Sequence, residues 1–205
     1  MQYINKQRLL ALFLVLTLLF TILLSYAQKT GNDISNSLMR INIIANSDSE
    51  TDQSLKLRIR NRVLRETQNI FTNVQSPEET ISLARENIRL IRKIAEDEVE
   101  RTGFDYKVKV TVGAFPFPTK SYGNLTLPAG KYNAVRIELG EAQGKNWWCV
   151  LYPPLCFTDG VLSADTAAMS KLENSLSEKE FSLISQNTVP VRVRFKLVEV
   201  FRNIF

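Results

Sequence analysis

GFDYKVKVTV, Gly103–Val112, is the stretch in which the chain changes its period. Before it, Ile81, Ala84, Ile88, Ile91, Ala95 and Val99 recur at helical spacing and line one apolar stripe. Gly103 suits the left-handed position that ends such a helix. After it the spacing drops to two. Tyr106, Val108, Val110 and Val112 fall on one side of an extended chain, with Lys107, Lys109 and Thr111 on the other. A helix therefore hands over to a half-buried strand, which makes this an α/β (α+β) chain.

Working back toward the N-terminus, Ser76-Pro77-Glu78-Glu79 supplies an N-cap, a first-turn proline and a glutamate three residues on. A further helix is predicted upstream. Its start lies in NSDSETD, where Ser47 with Glu50 and Ser49 with Asp52 stand in capping-box spacing. Leu55, Ile59, Val63 and Ile70 then share one face. The two helices read as a hairpin joined near Thr72–Gln75, preceded by a short strand at Arg40–Ala45.

Working forward, Phe115-Pro-Phe-Pro118 cannot continue a central strand, because each proline lacks a ladder donor. A loop is expected through TKSYGNLTLPAG, with turns at Tyr122–Asn124 and Pro128–Gly130. Tyr132–Leu139 alternates again, and Gly140–Gly144 reads as a hairpin turn into Asn146–Tyr152. Short helices are predicted at Ala164–Leu172 and Glu178–Ser185, with Ser177 and Glu180 in capping-box spacing. Val191, Val193, Phe195 and Leu197 alternate with basic residues and predict a last strand. The expectation is one domain over 39–205, a mixed β-sheet with the two-helix hairpin packed on one face.

The N-terminus sets the compartment. Lys6 and Arg8 precede an uncharged run, Leu9–Leu24, that is short for a spanning helix of about 20 residues. Ser25-Tyr26-Ala27 then puts small residues where a signal peptidase reads. Residues 1–27 are predicted to be a signal peptide cleaved after Ala27, and 28–38 a flexible polar leader. An uncleaved anchor is the alternative, and the membrane is met through this segment alone. Without Lys6 and Arg8 the net charge falls from +5 to +3. That is too mild for a nucleic-acid partner. Arg58, Arg60, Arg62 and Arg65 spread around a helix and read as a solvated face.

The chain has no histidine, which excludes a Ser-His-Asp or Cys-His triad and a histidine zinc site. Its acids, Asp48 with Asp52, Glu78 with Glu79, and Asp97 with Glu98 and Glu100, sit at helix starts or on polar helix faces. Asp165-Thr166-Ala167 lacks the glycine of an aspartic-protease motif and has no second copy. No glycine-rich phosphate loop occurs. No metal or cofactor is expected, and the composition argues against an enzyme.

The richest segment is Asn146–Phe157, NWWCVLYPPLCF, which holds both cysteines and both tryptophans. In an exported chain an even cysteine count predicts a Cys149–Cys156 disulfide. A free reactive thiol would need a better neighbour than Lys145. Trp147 and Trp148 are adjacent on a strand and face opposite sides. Either both are buried under helices, or one is displayed as a binding hot spot.

Four segments carry a resemblance. RINIIANSDS (Arg40–Ser49), FPTKSYGN (Phe117–Asn124), LPAGKYNA (Leu127–Ala134) and GKNWWCVLYPPLC (Gly144–Cys156) look like the stage II sporulation protein R family, in order across about Met39–Asp159. The resemblance implies a protein made in the forespore of an endospore-forming bacterium. It is exported into the space between forespore and mother cell. There it acts as a signal to a membrane-embedded aspartic protease of the mother cell that removes the pro-sequence of sigma-E. The family supplies no catalytic residues to carry over.

For partner contact the displayed aromatic, proline and turn residues are the candidates: Phe117, Pro118, Thr119, Lys120, Tyr122, Trp147 and Trp148. The alternative for the Pro-Thr-Lys-Ser-Tyr-Gly loop is a tight crossing between strands. The alternative functions are a secreted spore-envelope or peptidoglycan hydrolase, or an anchored structural protein of the intermembrane space.

Overall fold

The computed structural model describes residues 6–157 and 166–185. Along the chain run α1 (Lys6–Asn36), β1 (Met39–Ile44), α2 (Glu50–Phe71), α3 (Pro77–Glu86), α4 (Ile88–Arg101) and β2 (Val108–Phe117). They are followed by β3 (Lys120–Tyr122), β4 (Leu125–Leu127), β5 (Gly130–Leu139), β6 (Asn146–Tyr152), a 3-10 turn (Leu155–Phe157), α5 (Thr166–Ser175) and α6 (Glu178–Ser185). The strand predicted over Val191–Leu197 lies outside the described residues.

The sheet is mixed, in the order β2-β5-β1-β6. β1 runs parallel to β5 and antiparallel to β6, and β2 runs antiparallel to β5. One face is covered as expected by the helix pair, with its second member bent at Asn87 into α3 and α4. The ladder crosses the bend, since Asn87 N–H donates to Leu83 O and Ile91 N–H to Asn87 O. The Asn87 amide also donates to Leu83 O at 2.9 Å, and this competing local bond accompanies the bend. Against these helices pack Ile41 and Ile43 of β1, Val108 and Val110 of β2, Val135 and Ile137 of β5, and Leu151 of β6. The helix starts follow their caps. Ser49 Oγ accepts from Asp52 N, Ser76 Oγ from Glu79 N, and Ser177 Oγ from Glu180 N.

Three connections differ from the sequence reading. Gly140–Gly144 does not close a hairpin, because β1 lies between β5 and β6. The link instead passes over the end of β1, where Gly144 N–H donates to Ala45 O and Gln143 N–H to Asn46 O. Gly144 is required by this contact, as a Cβ there would collide with the Ser47 carbonyl. The loop after β2 holds a small hairpin, β3–β4, turning at Gly123 with φ +57°. β2 itself runs on through Pro116, which an edge strand tolerates.

The expected flexible leader is also corrected. Residues 28–36 continue α1, and Ile34, Ser35 and Leu38 are buried. Ile34 and Leu38 join the second core, on the far face of the sheet, with Phe117, Leu125, Leu127, Tyr132, Val150 and residues of α5 and α6.

Candidate functional site

The second face of the sheet is built around an arginine. β1 turns Met39, Ile41 and Ile43 toward the helices, so Arg40 between them points to the other side. There it is fully buried, at 0 % exposure. Phe117 at the end of β2 stands 4.2 Å from the guanidinium, Tyr132 of β5 4.8 Å and Tyr122 of β3 5.8 Å, each measured to the ring centre. The Phe117 ring also meets Trp148 of β6 at 4.6 Å and Tyr132 at 5.6 Å. Rings from β2, β3 and β5 thus surround one cation, and the Trp148 ring of β6 abuts this cage through Phe117.

The hydrogen bonds are directional. Arg40 Nη2 donates to the Tyr122 hydroxyl at 2.6 Å, and that hydroxyl donates to Trp148 O at 3.2 Å. Arg40 Nε reaches Cys149 O at 3.5 Å. Nη1 is buried without a hydrogen-bond partner, and no carboxylate pairs with Arg40 among the described residues. Burial pulls the guanidinium below its usual pKa, partly opposed by Tyr122 and Tyr132. Burial likewise raises the pKa of both phenols against the pull of Arg40. They therefore meet the cation as neutral hydroxyls. Cation–π contact, at about 0.5–2 kcal/mol per ring, offsets part of the cost of burying an unpaired charge.

The hairpin β3–β4 lies over this cage. Its base is held by the Tyr132 hydroxyl, which donates to Pro128 O at 2.7 Å, and by Ala129 N–H on Thr119 Oγ1 at 3.2 Å. Its far end is held by Tyr122. Leu125 and Leu127 are buried beneath it. Pro118, Ser121, Gly123 and Asn124 remain exposed, and Thr119 and Lys120 are half-buried. The result is a display of polar and turn residues over an aromatic floor.

Of the residues singled out in the sequence, Phe117, Tyr122 and Trp148 come together in the cage or against it. Phe117, at 3 % exposure, is a wall rather than a displayed ring. Pro118, Thr119 and Lys120 are on the accessible hairpin. Trp147 is elsewhere. It faces the helices, half-buried, with the Arg60 guanidinium 5.3 Å above its ring. Cys149 and Cys156 form a disulfide with Cα atoms 5.9 Å apart. It ties the middle of β6, next to Trp148, to the 3-10 turn. Arg40 and Tyr132 were missed, since Arg40 alternates with Asn42 in MRINII and the two read together as the polar face of a strand. A second feature, a polar cleft of about 540 Å³ beside Gln75, Glu78, Tyr152 and Lys171, is a weaker candidate. Its lysine is already taken up by Val74 O at 2.7 Å.

Comparison with known proteins agrees with this domain. No solved structure matches the chain. The profile of the family described as stage II sporulation protein R matches residues 35–161, which span β1 to the 3-10 turn and so the whole cage. A curated relative, stage II sporulation protein R of Bacillus subtilis (strain 168), is 40 % identical over 157 residues, covering 75 % of this chain and 69 % of that protein. The chain belongs to the stage II sporulation protein R family.

Proposed function

We propose that this chain is an exported signal of endospore formation, released from the forespore into the intermembrane space. There it activates the membrane-embedded aspartic protease of the mother cell that processes pro-sigma-E. Family membership gives it a role in sporulation, and that likeness over the folded domain is the observation that carries the reading. The apolar stretch of α1, wholly exposed and near the N-terminus, and the disulfide both fit export. Several of the acids are engaged structurally. Asp52 accepts from Asn46, Ser47 and Tyr106, and Glu98 is gripped by Arg58 and Arg62. Asp48 caps Lys145 N and Glu79 caps Gln75 N.

Reconstitution tests this. The full chain, the mother-cell protease and pro-sigma-E are produced together in a non-sporulating host that exports the chain. Processing of pro-sigma-E should depend on the chain. Exported, folded chain with no processing would sink the proposal.

A further inference from the structure

We propose that Arg40 is the positioning residue of the surface by which this chain is read. It locks the β3–β4 hairpin, through Tyr122, in the orientation that presents Pro118, Thr119 and Lys120 to the protein partner. The inference rests on the signalling reading above.

The argument starts from the size of the hairpin. Strands of three residues each are too short to hold a fixed position by their own ladder. Position must therefore come from tertiary ties. Leu125 and Leu127 anchor the β4 strand in the second core. The β3 strand contributes no fully buried side chain, only the half-buried Tyr122 ring packed against the same core. Ser121 is exposed and Lys120 half-buried, so its tie to the sheet is Tyr122. The Tyr122 hydroxyl joins Arg40 Nη2 and Trp148 O, which lie on neighbouring strands, β1 and β6. Tyr122 thus fixes β3 against two strands of the sheet at once.

The arginine is suited to this task by what it lacks. A guanidinium with a buried acid partner would be held by that partner and indifferent to the hairpin. Among the described residues Arg40 has rings and a phenol instead: Phe117, Tyr132 and the Cys149 carbonyl belong to the sheet, whereas the hydroxyl that takes up Nη2 comes from the hairpin, so that hydrogen bond is made only when the hairpin is closed. Opening would strip the Tyr122 oxygen from a cation already short of one partner at Nη1. The closed state is therefore favoured sharply, and the hairpin is displayed in one pose. A binding surface held in one pose avoids the ordering cost of binding.

Hydrogen exchange and signalling, read on the same variants of the full chain, test the latch. Tyr122→Phe keeps the ring and removes both hydroxyl bonds, and Arg40→Lys keeps the charge and removes the fork. Both should speed amide exchange in 120–127 by about tenfold, the scale of one lost hydrogen bond. Exchange at Leu55 and Ile91 in the helical core should not change, and processing of pro-sigma-E should fall in step with hairpin opening. Unchanged hairpin exchange in Tyr122→Phe overturns the latch. Faster exchange with undiminished processing overturns its part in signalling. A wild-type chain that triggers no processing removes the signalling reading itself, while the exchange arm still reports on the latch separately.

Discussion

Arg40 and Asp52 are both buried charges without an opposite charge among the described residues, and they show what single residues reveal in a sequence. Asp52 was legible as a helix-start acid in capping-box spacing with Ser49, and the structure adds its burial, at 3 % exposure. Burial alone would raise its pKa, but hydrogen bonds from Ser47, Asn46 and Tyr106 outweigh it and hold the carboxyl below the usual aspartate value. A depressed pKa adds stability above the unfolded value of about 3.9, lost as pH falls through the folded value. Asp52→Asn should therefore be less stable at pH 7 by about 1–2 kcal/mol, the cost of a mispaired buried donor or two. Denaturant curves from pH 7 to pH 3 should also show a shallower acid decline for the variant than for the wild type. Identical curves would mean the network contributes nothing. Arg40 was not legible, because in RINII the positions of Arg40 and Asn42 read as a strand's wet face. What covers Arg40 is a hairpin of two very short strands, and three residues leave no period to detect.

Elements were readable where their signals are local. The caps at Ser49, Ser76 and Ser177 and the left-handed Gly103, at φ +78°, mark real helix ends, and the alternation after Gly103 marks a real strand. Pairing was not readable, because it joins residues far apart in the chain. Gly140–Gly144 has the look of a hairpin turn, yet its flanking strands are separated by β1, whose place between them leaves no trace near the turn. The disulfide was readable because both partners sit on one short segment. Its worth follows from that closeness. An eight-residue loop constrains the unfolded chain by about 2.5 kcal/mol in the chain-entropy model. Urea unfolding of the Cys149→Ser/Cys156→Ser double variant should lose about that much, with β6 the first element to exchange its amides. An unshifted midpoint would show that the staple does not hold β6 to the 3-10 turn.

At the scale of the whole molecule, the boundary that matters is the one between the apolar stretch of α1 and the folded domain. The polar composition of 28–38 argued for a loose leader, but composition conceals two apolar residues four apart. Ile34 and Leu38 are each nearly fully buried, at 3 % and 0 %, beside Tyr132 and Leu127 of the second core. Ser35 lies against β5, so close that a side chain at Gly130 would crowd its Oγ. α1 is thus two things in one helix: an exposed apolar stretch that fits a signal sequence, and a last turn that belongs to the domain. Cleavage after Ala27 would leave that turn in place, whereas removal up to Leu38 would strip a wall from the core holding the Arg40 cage. Burying a Leu or Ile side chain is worth about 1.5–3 kcal/mol. A chain starting at Met39 should therefore unfold at least about 3 kcal/mol more easily than one starting at Gln28, and its hairpin amides should exchange faster. Equal melting of the two chains would make 28–38 a leader after all, and would separate the folded domain from the apolar stretch of α1.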